Sequence, residues 1–301
     1  MSICLNFKGT GLGDQVCAEP IARFAKNLYA DVTVLTDYPV IFKHIDININ
    51  PNKILSSICV AANPYSCNEN GWVVHPFAEY IIPGRIHSID FMSLFMLRQQ
   101  LPFAYKKVHL DVCQETKERL LKEYPNIEKS WLIHPGYGAP AKSWGLDFWQ
   151  NLAVKLQATG LETICIGKNY ESMHIQYGVY PIACTYDASN QWDLMTLITA
   201  ISMAKGVLTT DSAPLHIAGA FDKRIVVLPS IKHSDFIMPF RYSSKLYSAV
   251  LAECPYYDEY SLTPHLNTHS CVGQLITPLQ PKHIPSVSSV IEAVLELDKR
   301  V

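Results

Sequence analysis

GVLTTDSAPLHIAGA, running from Gly206 to Ala220, changes its hydrophobic period halfway along. Gly206–Thr209 is a short apolar run of strand type, and Ala213–Ala220 continues at helical spacing. Between them Thr210, Asp211 and Ser212 form a polar turn, with Ser212 as the expected N-cap and Pro214 in the first helical turn. A strand that runs through a turn into a helix is the building unit of an α/β sheet. A helix start offers unpaired N–H groups and the positive end of the dipole, a ready site for a diphosphate at the carboxyl edge of a parallel sheet. An ordinary capped helix fits the same residues. The segment alone does not choose between the two.

The same alternation extends in both directions. Upstream, Trp131–His134 reads as a strand, Phe148, Leu152 and Leu156 as a helical stripe stopped by Gly160, Glu162–Ile166 as a strand, and Asp193–Ala204 as a helix. Downstream, Arg224–Leu228 is a strand, and Val287–Leu297 is a final helix. An earlier series begins with strand Ser2–Phe7, a helix carrying Val16, Pro20, Ile21, Phe24 and Leu28, and strand Asp31–Thr36. Weaker strands follow at Ser57–Ala61 and Gly71–His75, then a helix at Ser88–Leu97. Two β-α-β series imply two mainly parallel sheets. The charged stretch from Pro102 to Ile127 is the expected junction. The expected domains are 1–115, 116–285 and a terminal helix 286–301 that crosses back to the first domain.

Composition bounds the function. The chain has 301 residues, enough for two domains. Hydrophobic residues make up 49% and charged residues 17%, as in a globular enzyme. With 25 basic and 27 acidic residues, the bulk charge argues against a general nucleic-acid binder. No apolar run reaches membrane-span length and no signal peptide is legible, so the expectation is a cytoplasmic protein. Nine cysteines without a CxxC pair read as buried, reduced thiols. Cys254, His265, His269 and Cys271 share one stretch, but their spacing matches no standard zinc template.

Two further segments carry possible chemistry. In His134-Pro135-Gly136-Tyr137-Gly138 a strand enters a glycine loop that lets backbone approach a ligand, and Lys142 follows as a point charge for phosphate. Trp144 beside it reads as core. In Gly9-Thr10-Gly11-Leu12-Gly13-Asp14, the aspartate starts a helix, as a simple cap or as a general base reaching across a cleft. The glycine spacing is wrong for a dinucleotide fingerprint. Asp37 stands only near the end of the second strand, which makes a dehydrogenase a poor reading.

The order Gly11-Leu12-Gly13-Asp14, then His134-Pro135-Gly136 with Lys142-Ser143-Trp144, then Thr210 to His216, resembles glycosyltransferase family 9, the lipopolysaccharide heptosyltransferase-like proteins. The likeness is strongest from Trp131 to Ser230, and the stretch Cys271–Ile284 is also similar to the family's C-terminal pattern. The resemblance implies a GT-B architecture, two Rossmann-like parallel-sheet domains facing across a cleft. The first would bind the acceptor, near Gly11 and Gly13, and the second a nucleotide-sugar. It implies inverting transfer without a metal or other cofactor, with Asp14 as catalytic base and Lys142 on the donor phosphate. Donor contacts would come from His134, Gly136, Asp211, Ser212, Ala213, Pro214 and His216, with Gly167 and Cys184–Asp187 lining the base pocket. Ala213 stands where the family often has glycine. The acceptor is a saccharide or lipopolysaccharide, or alternatively a modified pyrimidine in DNA. A catalytically silent nucleotide-sugar binder of the same fold is the rival. The residues declare neither the donor base nor an oligomeric state.

Overall fold

The computed structural model describes residues 2–53, 58–61, 72–73, 103–137, 143–172, 175–228, 237–239, 246–250 and 285–300. The expected helix 88–97, Gly138, Lys142, the Cys254–Cys271 cluster and the stretch 271–284 lie outside them.

The first sheet holds β1 (Ser2–Asn6), β2 (Asp31–Leu35), β3 (Asn48–Ile49), β4 (Ile58–Ala61) and β5 (Trp72–Val73) in the order β3-β2-β1-β4-β5, all parallel. β1 is central, and its apolar run Ile3, Cys4, Leu5 is almost wholly buried, as a strand covered on both faces must be. Helix α1 (Leu12–Leu28) follows β1 and turns Val16, Ala18, Ile21, Ala22 and Ala25 into the core.

The second half begins with α2 (Gln114–Glu123). It continues through β6 (Trp131–His134), β7 (Gly136–Tyr137), α3 (Leu146–Ala158), β8 (Thr163–Cys165), β9 (Tyr170–Ser172), β10 (Ile175–Val179), β11 (Tyr186–Asp187) and α4 (Leu194–Met203). It closes with β12 (Gly206–Thr210), α5 (Ala213–Ala220), β13 (Arg224–Leu228), β14 (Tyr247–Ala249) and α6 (Val287–Lys299). Six of its strands pair in parallel in the order β11-β8-β6-β12-β13-β14, and β7, β10 and β9 make a small antiparallel sheet. Counted from β6, the six-stranded order is 3-2-1-4-5-6, the doubly wound Rossmann order. Both expected parallel sheets are present. The antiparallel strands β7, β9 and β10, the two-residue strands β3 and β11, and β14 are additions to the expected series, while β5 falls within the expected strand 71–75.

Helix α2 packs on α4, and the Cys113 amide donates to Thr199 Oγ1 at 3.3 Å, so α2 belongs with the second sheet. The expected boundary at 115/116 cuts this helix. We place the junction instead within 106–113. Arg23 of α1 holds that crossing by donating to the carbonyls of Tyr105 and Lys107, and Glu19, fully buried, accepts from the His109 amide. Lys107 in turn pairs with Asp222, just after α5.

The expected return of the terminal helix to the first sheet is corrected. Val290, Ala293, Val294 and Leu297 of α6 pack into a cluster with Trp149, Leu152 and Val226, all of the second half. Asp298 accepts from the Trp131 indole and pairs with Lys205, and Arg224 donates to the Leu297 carbonyl. The larger hydrophobic cluster, by contrast, runs through both halves, from Ile3 and Val34 to Leu132, Ile164 and Val227. Among the described residues no helix is long and apolar enough to cross a membrane. Among the described residues Cys113, Cys165 and Cys184 are free thiols.

Candidate functional site

In an open parallel sheet a ligand crevice forms where neighbouring strands send the chain in opposite directions, at their carboxyl ends. The first sheet reverses between β1 and β4, and the second between β6 and β12. Asp14 follows β1, His134 ends β6, and Asp211 and Ser212 follow β12. The segments read from the sequence therefore cluster at the two reversal points.

These points meet through helices. The N-termini of α1 and α5 pack together, and Cys17 Sγ lies 3.3 Å from His216 Nδ1. A Cβ on Gly13 would lie 2.9 Å from His216 Cδ2 and 3.6 Å from Ala213 Cα. Gly13 thus serves close helix approach. His216 is buried and turns Nδ1 to Cys17, so its ring builds the contact between the halves. Asp14 is exposed, in the first turn of α1, and accepts from the Gly11 amide at 3.2 Å.

Ser212 sits at the N-cap of α5, but its hydroxyl makes no cap bond. It lies 2.8 Å from Thr209 Oγ1 and 3.1 Å from His134 Nδ1. The expected side-chain cap is corrected for a physical reason. Pro214 has no N–H to offer, and the Leu215 amide is taken by the Ser212 carbonyl at 3.0 Å. The Ala213 amide is the first-turn donor left to face an anion.

The His134 ring fills space beside two glycines. A Cβ on Gly136 would lie 2.6 Å from His134 Cε1, and one on Gly167 2.8 Å from His134 Cδ2. The glycines expected to admit a ligand thus admit the histidine. Burial pushes His134 down to about 4, so the ring is neutral at neutral pH and offers a hydrogen bond, not a positive charge. An unfolded histidine takes its proton near 6.5, so between the two values the unfolded chain binds more protons. The stability this group contributes is fully present above about pH 6.5 and lost as pH falls towards about 4. A series of urea midpoints against pH should show that loss in the wild type and a flatter profile in His134→Asn. Equal slopes for the two proteins would refute it.

Tyr186 and Asp187, from the expected base-pocket stretch, border a cavity of about 450 Å³ together with Arg119, Tyr124 and Trp192. Trp144 is core, in contact with Phe148. Asp37 explains the failure of the dehydrogenase reading. Its Oδ2 accepts from the Gly9 amide at 2.7 Å, so the carboxylate closes the turn after β1 instead of facing a ribose. What sequence reasoning missed is Gln15, whose partners at Thr36 and Asp37 are distant in sequence. An amide among the mostly apolar residues of the buried face of α1 was the available signal.

A family model for glycosyltransferase family 9 (heptosyltransferase) matches residues 82–257. No curated protein matches the chain by sequence. Among solved structures, the fold is similar to a glycosyl transferase family 9 protein from Veillonella parvula, with TM-score 0.65, 17% identity, and 99% of this chain against 97% of that one. It is also similar to the ADP-heptose lps heptosyltransferase II of E. coli, with TM-score 0.66, 15% identity, and 99% against 98%. A third is the iron-containing dodecameric glycosyltransferase TibC of enterotoxigenic E. coli, with TM-score 0.64, 14% identity, and 99% against 78%. TibC has also been solved in complex with ADP-D-β-D-heptose. With two doubly wound sheets facing each other at their reversal points, and with the family pattern across more than half its length, the chain belongs to glycosyltransferase family 9 and is a glycosyltransferase of GT-B fold.

Proposed function

We propose that the protein moves a sugar from a nucleoside-diphosphate sugar to a hydroxyl of a saccharide acceptor, with inversion and without a metal. The observation that carries this reading is the packing of Gly13, next to Asp14, against Ala213 and His216 at the start of α5. It sets an exposed carboxylate beside a helix start suited to a diphosphate.

In this reading Asp14 takes the proton from the acceptor hydroxyl. The acceptor oxygen attacks the anomeric carbon on the face opposite the diphosphate. The bond from that carbon to the diphosphate oxygen breaks, its electron pair leaves with the diphosphate, and the anomeric configuration inverts. The first turn of α5 stabilises the departing charge, and Lys142 is the cation proposed to assist it. Neutral His134 fixes the Ser212 hydroxyl at the edge of that turn. The donor proposed for first trial is ADP-heptose, because the similar heptosyltransferase II is named for it and TibC has been solved with it.

Thermal unfolding with ADP, UDP, GDP and ADP-heptose, each with and without EDTA, tests the reading. A ligand at ~100 times its dissociation constant adds about 2.7 kcal/mol. The expected result is a stabilisation by ADP and ADP-heptose that survives EDTA. A shift abolished by EDTA would overturn metal independence, and no shift with any nucleotide would overturn the donor reading.

A further inference from the structure

Gln15, the residue after Asp14, is fully buried, and its amide is shared between two parts of the first sheet. Nε2 donates to the Phe7 carbonyl at 3.0 Å and the Thr10 carbonyl at 3.2 Å, and lies 3.4 Å from Asp37 Oδ2. Oε1 accepts from the Thr36 hydroxyl at 2.5 Å. Thr36 is tied further on, its amide donating to Asn50 Oδ1 and its carbonyl accepting from Asn50 Nδ2, both at 2.9 Å. Asp37 Oδ2 accepts from the Gly9 amide, and the Thr10 hydroxyl donates to the Phe7 carbonyl at 2.7 Å. One side chain therefore joins the end of β1, the turn that follows it and the end of β2. That turn delivers the chain into α1, where Asp14 stands exposed with only the Gly11 amide as its described partner.

We infer that Gln15 is a positioning residue for Asp14: its amide clamps the turn 8–11 so that the carboxylate keeps a fixed place beside α5. The inference rests on the reading of Asp14 as the base. Only an amide satisfies this site. A carboxylate at position 15 would set like partial charges against the Phe7 and Thr10 carbonyls, and a thioether would take the Gln15 donor from the Thr10 and Phe7 carbonyls and the acceptor from the Thr36 hydroxyl, with the Phe7 carbonyl keeping only Thr10. Asp14 itself is untouched by either change, so the effect falls on where the carboxylate sits.

The test uses the full chain and ADP release from ADP-heptose as the readout, with wild type, Gln15→Met, Asp14→Asn and the double variant. Gln15→Met is expected to lower kcat about 10–100-fold, the scale of a misplaced catalytic group, while KM for ADP-heptose stays within about twofold. The double variant is expected to be no slower than Asp14→Asn alone, since both changes remove one function. If Asp14→Asn loses turnover while Gln15→Met keeps it, the inference is overturned and the base assignment stands. Multiplying effects in the double variant also overturn it. If Asp14→Asn keeps full turnover, the base assignment falls and takes the inference with it. Hydrogen exchange of the segment 7–14 supplies a reading without turnover: Gln15→Met, or Thr36→Val should the former not fold, is expected to speed exchange there and not in β12–α5. Unchanged exchange in 7–14 would refute the clamp.

Discussion

Asp14→Asn is expected to lower turnover by about 10² to 10⁴ while leaving ADP-heptose affinity within about twofold, because a general base acts on the acceptor proton in the transition state and not on the bound donor. The substitution keeps size and shape. Its amide can still meet the Gly11 N–H through the side-chain oxygen, so the turn and the start of α1 should survive. Donor affinity is measured by titration calorimetry and turnover by ADP release. An equal loss of affinity would move Asp14 to the donor side of the cleft. Unchanged turnover would refute the base assignment, and no turnover in the wild type would favour a silent nucleotide-sugar binder.

Gly167→Ala is the second large effect, and it concerns stability. Gly167 has φ 131°, a conformation that side chains rarely adopt, and a Cβ there would lie 2.1 Å from Val179 Cγ1 and 2.8 Å from the His134 ring. The His134 ring has little room to move, since it is held at Ser212 and Gly136 closes its other side. Strain and overpacking together should cost on the order of 3–5 kcal/mol. Gly160→Ala is the matched control: φ is 82° and nothing lies within 4 Å of the added methyl, so only backbone strain of about 1–2 kcal/mol is expected. Melting temperatures of the two variants check this. Equal losses would mean that the His134 enclosure is loose.

Much of the fold was legible because it is local. Strands such as Trp131–His134 and Arg224–Leu228 and helix Ala213–Ala220 match their hydrophobic periods residue for residue, since a buried parallel strand and a capped helix both write their limits into neighbouring residues. The expected junction stretch 102–127 contains the crossing, but the cut at 115/116 falls within α2, and the terminal helix packs on the second sheet instead of the first. An amphipathic period tells that a helix has a buried face and not which sheet covers it. The candidate site divides in the same way. Asp14 and the Asp211–His216 turn were visible as helix starts. The role of Gly167 as a wall for His134, the contact between Cys17 and His216, and the bond between Gln15 and Thr36 join residues from 21 to 199 positions apart. No local pattern encodes them.

The hydrophobic cluster that runs through both halves has a consequence for how the molecule comes apart. Ile3 and Val34 belong to the same packed body as Leu132 and Val227, and α1 is seated against α5 while Arg23 and Glu19 hold the crossing chain. Only the smaller cluster around α6 lies wholly within one half, and the larger interior is shared. Separating them would expose apolar faces on each, so the two sheets melt as one cooperative unit and the cleft cannot swing wide without disturbing the core that supports it.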